Sequence, residues 1–273
     1  MIDLDSPRVM GVINTTPDSF SDGGRYLATG AALVHARKLI DEGADLIDIG
    51  GESTRPGARP VPVEEELERT IPVIEAVRRH SDIPVSIDTS KPEVMRAAAA
   101  AGASLINDVW ALRRPGALEA AVESGLPVCL MHMQGEPGSM QDNPSYDDVV
   151  AEVETFLLQR AQAAMDAGIA RDKIILDPGF GFGKTLDQNL ELFRALPRLR
   201  SHGFPLLVGI SRKSMIGAIT GRDVDQRLAG SLAFAVLAAQ RGADVIRVHD
   251  VAETRDALAI VRAVEETAQP LQE

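Results

Sequence analysis

Cysteine is nearly missing from this chain, and aromatic residues are scarce at 4%. One cysteine, Cys129, stands among 273 residues, so neither an intrachain disulfide framework nor a cysteine-based zinc site is available. Cations are short as well: 28 Lys and Arg face 40 Asp and Glu, for a formal charge of −12. Neutralising nucleic-acid phosphates needs a surplus of cations, so this balance argues against a general nucleic-acid binder. A small anionic substrate stays compatible, because a few local cations dominate a site. No apolar stretch approaches the about 18 residues of a membrane span. Met1–Pro7 is short and acidic, and the apolar run Val9–Ile13 is broken by Asn14, so no signal peptide is read. The expectation is a soluble, cytoplasmic protein with neither membrane nor nucleic-acid partner.

What the chain does have is rhythm. Apolar runs recur at Val9–Asn14, Asp45–Gly50, Pro84–Asp88, Ser104–Val109, Pro127–His132, Ile174–Gly179, Leu206–Ser211 and Val245–Asp250. They are nearly continuous rather than alternating, as parallel strands covered on both faces should be. Helical spacing occupies 29–42, 63–80, 92–101, 115–124, 146–167, 187–200, 225–241 and 252–266. Several of these segments end at a glycine (Gly43, Gly102, Gly125, Gly168, Gly242), which takes the left-handed cap cheaply. Eight such units predict an α/β fold, a single (β/α)8 TIM barrel of eight parallel strands spanning 1–273 with its core at about 9–266. A doubly wound open sheet is the alternative, and two ordinary domains would also fit the length. The stretches after strands 1, 2 and 5 run about 12–14 residues, against about 2–6 for an ordinary turn. Long loops on one barrel rim usually carry function, and the first two read as mobile covers.

Polar residues close every predicted strand: Asn14, Asp48, Asp88, Asn107 with Asp108, His132, Asp177, Ser211 leading to Lys213, and Arg247 with His249. A barrel brings its C-terminal strand ends to one mouth, so these scattered groups become one site. A single polar strand end is usually a helix cap, but eight in phase are not explained that way. Asp88, Asn107 and Asp177 are acceptors suited to the N–H edge of a flat, nitrogen-rich heterocycle. Lys213, Arg247 and His249 form a cationic set suited to phosphate or diphosphate. Arg247 and His249, two apart on a strand, share a face. Acceptors on one wall and cations at the lip are therefore expected.

Gly179–Thr185 looks like a phosphate loop but is one residue short of the Walker spacing. Its glycines read instead as close backbone approach to a flat ligand, with Phe182 as an apolar wall. The five histidines lack zinc-ligand spacing, Ser53 has no hydrolase triad around it, and Met131 and Met133 read as gap-fillers.

Taken together, 10–24 (MGVINTTPDSFSDGG), 48–58 (DIGGESTRPGA), 86–92 (SIDTSKP), 106–108 (IND), 130–135 (LMHMQG), 177–184 (DPGFGFGK), 211–214 (SRKS) and 247–250 (RVHD) resemble the dihydropteroate synthase family. The blocks run in order over residues 10 to 250. Thr15, where many relatives carry Val, and Trp110-Ala111-Leu112 depart from the usual pattern. The resemblance implies a transferase of folate biosynthesis. It would condense 6-hydroxymethyl-7,8-dihydropterin diphosphate with 4-aminobenzoate, by an SN1-like route, to 7,8-dihydropteroate and diphosphate. It implies Asp88, Asn107, Asp177 and Lys213 on the pterin, and Arg247, His249 and Asn14 at the diphosphate, with Thr54 and Val248 also lining that substrate. Mg2+ would sit on Asn14. Phe20, Thr54, Arg55, Pro56, Phe182 and Ser214 would form the 4-aminobenzoate side. Asp88, Asp177, Lys213, Arg247 and His249 would carry the catalysis, and a homodimer is implied. A pterin-binding methyltransferase acting on methyltetrahydrofolate and a non-catalytic pterin-binding paralogue are the alternatives.

Overall fold

Eight short strands alternate with helices along the chain in a computed structural model that describes residues 4, 6–15, 25–54, 58–136 and 138–267. The strands are β1 (Arg8–Asn14), β2 (Leu46–Gly50), β3 (Val85–Asp88), β4 (Leu105–Asp108), β5 (Val128–Met131), β6 (Ile174–Asp177), β7 (Leu207–Val208) and β8 (Val245–Val248). The helices are α1 (Arg25–Asp41), α2 (Val63–Arg78), α3 (Pro92–Ala100), α4 (Ala117–Ser124), α5 (Val149–Asp166), α6 (Leu186–Arg194), α7 (Leu196–Arg200), α8 (Ser214–Thr220), α9 (Leu228–Gln240) and α10 (Val251–Thr267). The strands pair in the order β6-β5-β4-β3-β2-β1-β8-β7. A parallel bridge between Leu176 and Leu206 joins the two ends of that order. The sheet therefore curls into the expected (β/α)8 barrel, and the open doubly wound alternative is excluded. Among the described residues no helix is long and apolar enough to cross a membrane.

Alternation along the strands explains both the core and the mouth. Side chains at every second position point into the barrel. On the deep layer these are Met10, Leu46, Leu105, Cys129, Ile175, Leu207 and Val245, a buried cluster with Leu4 packed against it. Each such burial stabilises by about 1.5–3 kcal/mol. Two residues further along, the inward positions turn polar: Asp48, Asp88, Asn107, Asp177 and Arg247. The intervening positions, such as Ile47, Ile49, Ile87, Ile106 and Leu130, belong to the larger core between strands and helices.

Three elements differ from expectation. The segment 187–200 is two helices, because Pro197 lies in the first turn of α7, where its missing N–H costs nothing, and the chain breaks at Ala195. Helix α8 was not read at all: seven residues with a central Gly217 are too few to show a period. Helix α9 begins at Leu228, after the looser segment 221–227. The long link after β5 is longer than expected, spanning 132–148, and that after β2 spans 51–62.

Candidate active site

Arg247 of β8 reaches across the mouth. Its Nε donates to Asp48 Oδ2 at 2.6 Å and its Nη2 to Asp88 Oδ2 at 3.1 Å. Asn107 Nδ2 donates to the same Asp48 oxygen at 3.2 Å. The strand register makes this possible: Asp48 lies beside Val12 of β1 and Ser86 of β3, while Asp88 lies beside Asn107. Asp48 is fully buried, whereas Asp88 and Arg247 keep 13% and 22% of their side chains exposed, enough for a ligand to touch them. Asp48 Oδ1 is buried without a hydrogen-bond donor. Two carboxylates share one guanidinium, so the mouth carries a surplus of acceptors. Burial and the neighbouring Asp48 push Asp88 up to about 8, against the pull of Arg247. Despite burial, Asp48 and Asp88 hold Arg247 above its ordinary value.

Lys213 enters from the segment before α8. Its Nζ donates to Phe180 O at 2.5 Å and lies 4.7 Å from the centroid of the Phe182 ring. Burial pulls it down to about 8, while Asp177 opposes that shift. Burial likewise raises Asp177, with Lys213 resisting. The preceding residue, Arg212, has φ +59°, a conformation that side chains other than glycine adopt at a cost of order 1–3 kcal/mol. Three anchors offset this strain. Arg212 Nε bonds Asp250 Oδ2 at 3.0 Å, its N–H donates to Ser231 Oγ at 3.0 Å, and its carbonyl accepts from Arg227 at 3.0 Å. Ser211 Oγ, on the other side of the twist, meets His249 N and Nδ1 at 3.2 and 3.0 Å.

The expected separation of acceptors from cations is not found. Arg247 sits between two aspartates, and Lys213 is electrostatically tied to Asp177, because unpaired charge is costly in a closed barrel. Asp108 faces the other way from Asn107. It accepts from Ser90 Oγ at 2.5 Å and from Trp110 and Leu112 N–H at 2.8 Å each, holding the left-handed residues Ala111 and Leu112. The Val248 side chain packs in the outer core, leaving only its main chain near the mouth. Asn14, at the end of β1, and Thr54, early in the segment after β2, are partly buried, and Ser214 is exposed at the start of α8. Phe20, Arg55 and Pro56 lie outside the described residues.

Met131 and Met133 are buried and fill space, as expected. With Val109 and Met140 they form a separate apolar cluster, and Trp110 and Phe182 pack against it. Asp48 stood among the strand ends in the sequence, yet nothing there gave it a role. Lys91 was missed too: it bonds Glu52 Oε2 at 2.5 Å and the fully buried Glu66, while Glu52 Oε1 accepts from Val61 N–H at 3.0 Å. This ties the segment carrying Thr54 to the start of α3.

The glycine-rich turn after β6 packs tightly against the segment after β5. A Cβ on Gly179 (φ +69°) would lie 1.8 Å from His132 O, and one on Gly183 (φ +64°) 2.6 Å from Gln134 O. These two glycines allow two backbone segments to touch. Gly179→Ala is expected to cost at least about 3 kcal/mol, lowering Tm by roughly 6 °C or more. Gly181→Ala, whose nearest neighbour is Lys213 Cδ at 3.4 Å, should cost less. Thermal unfolding of the two variants checks the order.

The chain matches the family of pterin binding enzymes over residues 10–249. It is 55% identical over 262 residues to the dihydropteroate synthase of Escherichia coli strain K12, covering 96% of this chain and 93% of that one. Xanthomonas albilineans dihydropteroate synthase with 4-aminobenzoic acid superposes at a TM-score of 0.92 and 58% identity, covering 98% of this chain and 95% of that one. The enzyme of the same organism in complex with 7,8-dihydropteroate gives 0.88 at 54% identity, covering 98% and 96%. Since the likeness runs through every strand that builds the mouth, the chain belongs to the dihydropteroate synthase family of pterin-binding transferases.

Proposed function

We propose that the barrel condenses 6-hydroxymethyl-7,8-dihydropterin diphosphate with 4-aminobenzoate, releasing 7,8-dihydropteroate and diphosphate. The observation that carries this reading is the acceptor-rich mouth, in which Asp48 and Asp88 share one guanidinium and Asn107 donates to Asp48. Asp88, Asn107 and Asp177 accept from the N–H edge of the pterin, and Lys213 steadies its ring. Arg247, His249 and Asn14 face the diphosphate, with Thr54 and the main chain at Val248 beside it. Phe182, Ser214 and Thr54, with Phe20, Arg55 and Pro56, form the 4-aminobenzoate side.

In the reaction, the bond from the pterin methylene carbon to the diphosphate oxygen breaks. A bond from that carbon to the amine nitrogen forms, and the amine gives up a proton. No side-chain nucleophile is needed. The pterin ring carries the developing positive charge beside Asp88 and Asp177, so preorganised electrostatics supply most of the acceleration. Among the described residues no group of three or more His, Cys, Asp or Glu is placed to hold a metal. The single amide oxygen of Asn14 suits Mg2+ only as one ligand of an ion held chiefly by diphosphate oxygens and water. Bound that way, Mg2+ would take up leaving-group charge.

Diphosphate release that depends on both substrates is the test. Release without 4-aminobenzoate, or none with both present, would count against the condensation. Positional isotope exchange within the diphosphate, without net turnover, supports the dissociative route.

We also propose a cytoplasmic homodimer, paired through α9 and α10. Leu237 and Ile260 on these helices, and Val264 one turn beyond Ile260, are 39%, 67% and 62% exposed. The double variant Leu237→Glu, Ile260→Glu is expected to halve the mass measured by light scattering. An unchanged mass would place any dimer contact elsewhere.

A further inference from the structure

Five consecutive carbonyls after β6 are claimed by side chains. Gly179 O accepts from Lys184 Nζ at 2.9 Å, Phe180 O from Lys213 Nζ at 2.5 Å, and Phe182 O from Lys184 Nζ at 3.0 Å. Gly181 O accepts from Gln141 Nε2, and Gly183 O from the Tyr146 hydroxyl at 2.7 Å. Gln141 and Tyr146 come from the long segment 132–148, which therefore braces the neighbouring turn.

Lys184 is the centre of this arrangement. It is 3% exposed, and its third bond runs to His132 Nδ1 at 2.9 Å. An ammonium has three donors, and all three are engaged, each with a neutral acceptor. Burying a cation among neutral acceptors is costly, so its place on the turn that bears Phe182 and holds Lys213 calls for a reason. Lys213 is bonded to Phe180 O and stacked over Phe182, so the path of this turn sets where its ammonium lies. Asp88 and Asn107 hang from β3 and β4, away from the turn, whereas Asp177 Oδ1 accepts from Gly179 N–H at 2.8 Å.

We propose, resting on the functional reading above, that Lys184 is a positioning residue. With His132 and Tyr146 behind it, it fixes 179–183 so that the Phe182 ring meets the incoming aromatic amine while the Lys213 ammonium, held by Phe180 O, stays on the pterin.

The groups facing Lys184 are His132 after β5, Asp177 on β6 and Lys213 before α8, with Arg113 acting on His132. Burial, with Lys184 and Arg113 nearby, pulls His132 down to about 2, so its ring is neutral and Nδ1 can accept. Burial also pulls Lys184 down to about 7, against Asp177. The ammonium form has three donors and the amine form two. As pH rises through about 7 the charge-assisted grip of Lys184 on its three acceptors therefore weakens.

Lys184→Met and Tyr146→Phe in the full chain provide the test. Lys184→Met is expected to raise the KM for 4-aminobenzoate on the order of tenfold, and to raise the Kd for the pterin diphosphate by clearly less, through Lys213. It should also abolish the rise in that KM that the parent enzyme shows as pH climbs from about 6 to about 8. Tyr146→Phe, which removes only a hydroxyl, should shift KM the same way by less. Amide hydrogen exchange in the unliganded protein should quicken at 179–183 in both variants and stay unchanged across β1 to β4. An unaltered KM and pH profile in Lys184→Met would overturn the proposal. So would equal rises in pterin Kd and amine KM, or faster exchange throughout, which mark a merely structural role. A parent enzyme without turnover would sink the functional reading, while the exchange measurement would still decide whether Lys184 holds the turn.

Discussion

Arg247→Ala is expected to lower kcat/KM by about three orders of magnitude and to destabilise the barrel in the same step. Its guanidinium is shared between Asp48 and Asp88, one fully buried and the other nearly so. Removing one partner of a buried ion pair leaves an uncompensated charge, at a cost of about 3–5 kcal/mol. Losing a preorganised group at a site of developing charge typically removes a further factor of about 100–1,000 in rate. Arg247→Lys separates the two effects. A single ammonium cannot reproduce the fork that meets Asp48 through Nε and Asp88 through Nη2. It should recover much of the stability and little of the activity. Adding Asp48→Asn to Arg247→Ala removes the orphaned charge, so stability should rise while turnover stays low. Diphosphate release and thermal unfolding on the four proteins check this, and an unchanged kcat/KM in Arg247→Ala would take the residue out of the site.

The barrel was legible because its strands carry apolar runs of the right length, each closed by a polar residue, and because the helices between them several times end in glycine. The mouth was legible for the same reason, since strand ends in phase need no knowledge of contacts. Pairing within the mouth was not. Whether Arg247 meets diphosphate or two aspartates depends on strand register, which no local pattern encodes. Asn107 and Asp108 illustrate the point: adjacent residues on one strand face opposite sides, so one joins the site and the other holds the backbone of Trp110 and Leu112. Lys184 was read through a near-miss phosphate motif, yet the ammonium turns inward to His132 and its own carbonyls. The glycines around it owe their place to a contact between two backbone segments that are distant in sequence.

Asp88→Asn is expected to split activity from stability. In the folded protein, burial and Asp48 raise the Asp88 carboxyl from 3.8 to about 8. Between those values the folded state holds a proton that the unfolded chain has released. The resulting stability is fully present below about pH 4 and is lost as pH rises through about 8. Asparagine has almost the same shape and no proton to lose. The variant's stability should therefore be flatter over this range, and above about pH 8 should exceed the parent's by about 2–4 kcal/mol. Activity should move the other way. An amide offers one acceptor and turns two donors toward pterin N–H groups that need acceptors, so kcat/KM should fall about 100–1,000-fold. The same proton links binding to pH. A pterin edge donating to Asp88 favours the carboxylate, so below about pH 8 ligand binding should release a proton to the buffer. Calorimetric heats for the parent should then differ between buffers of different ionisation enthalpy, and those for Asp88→Asn should not. Buffer-independent heats in the parent, or a variant less stable than the parent at pH 8.5 in urea unfolding, would mean that Asp88 faces the ligand already ionised, its charge met by Arg247 alone.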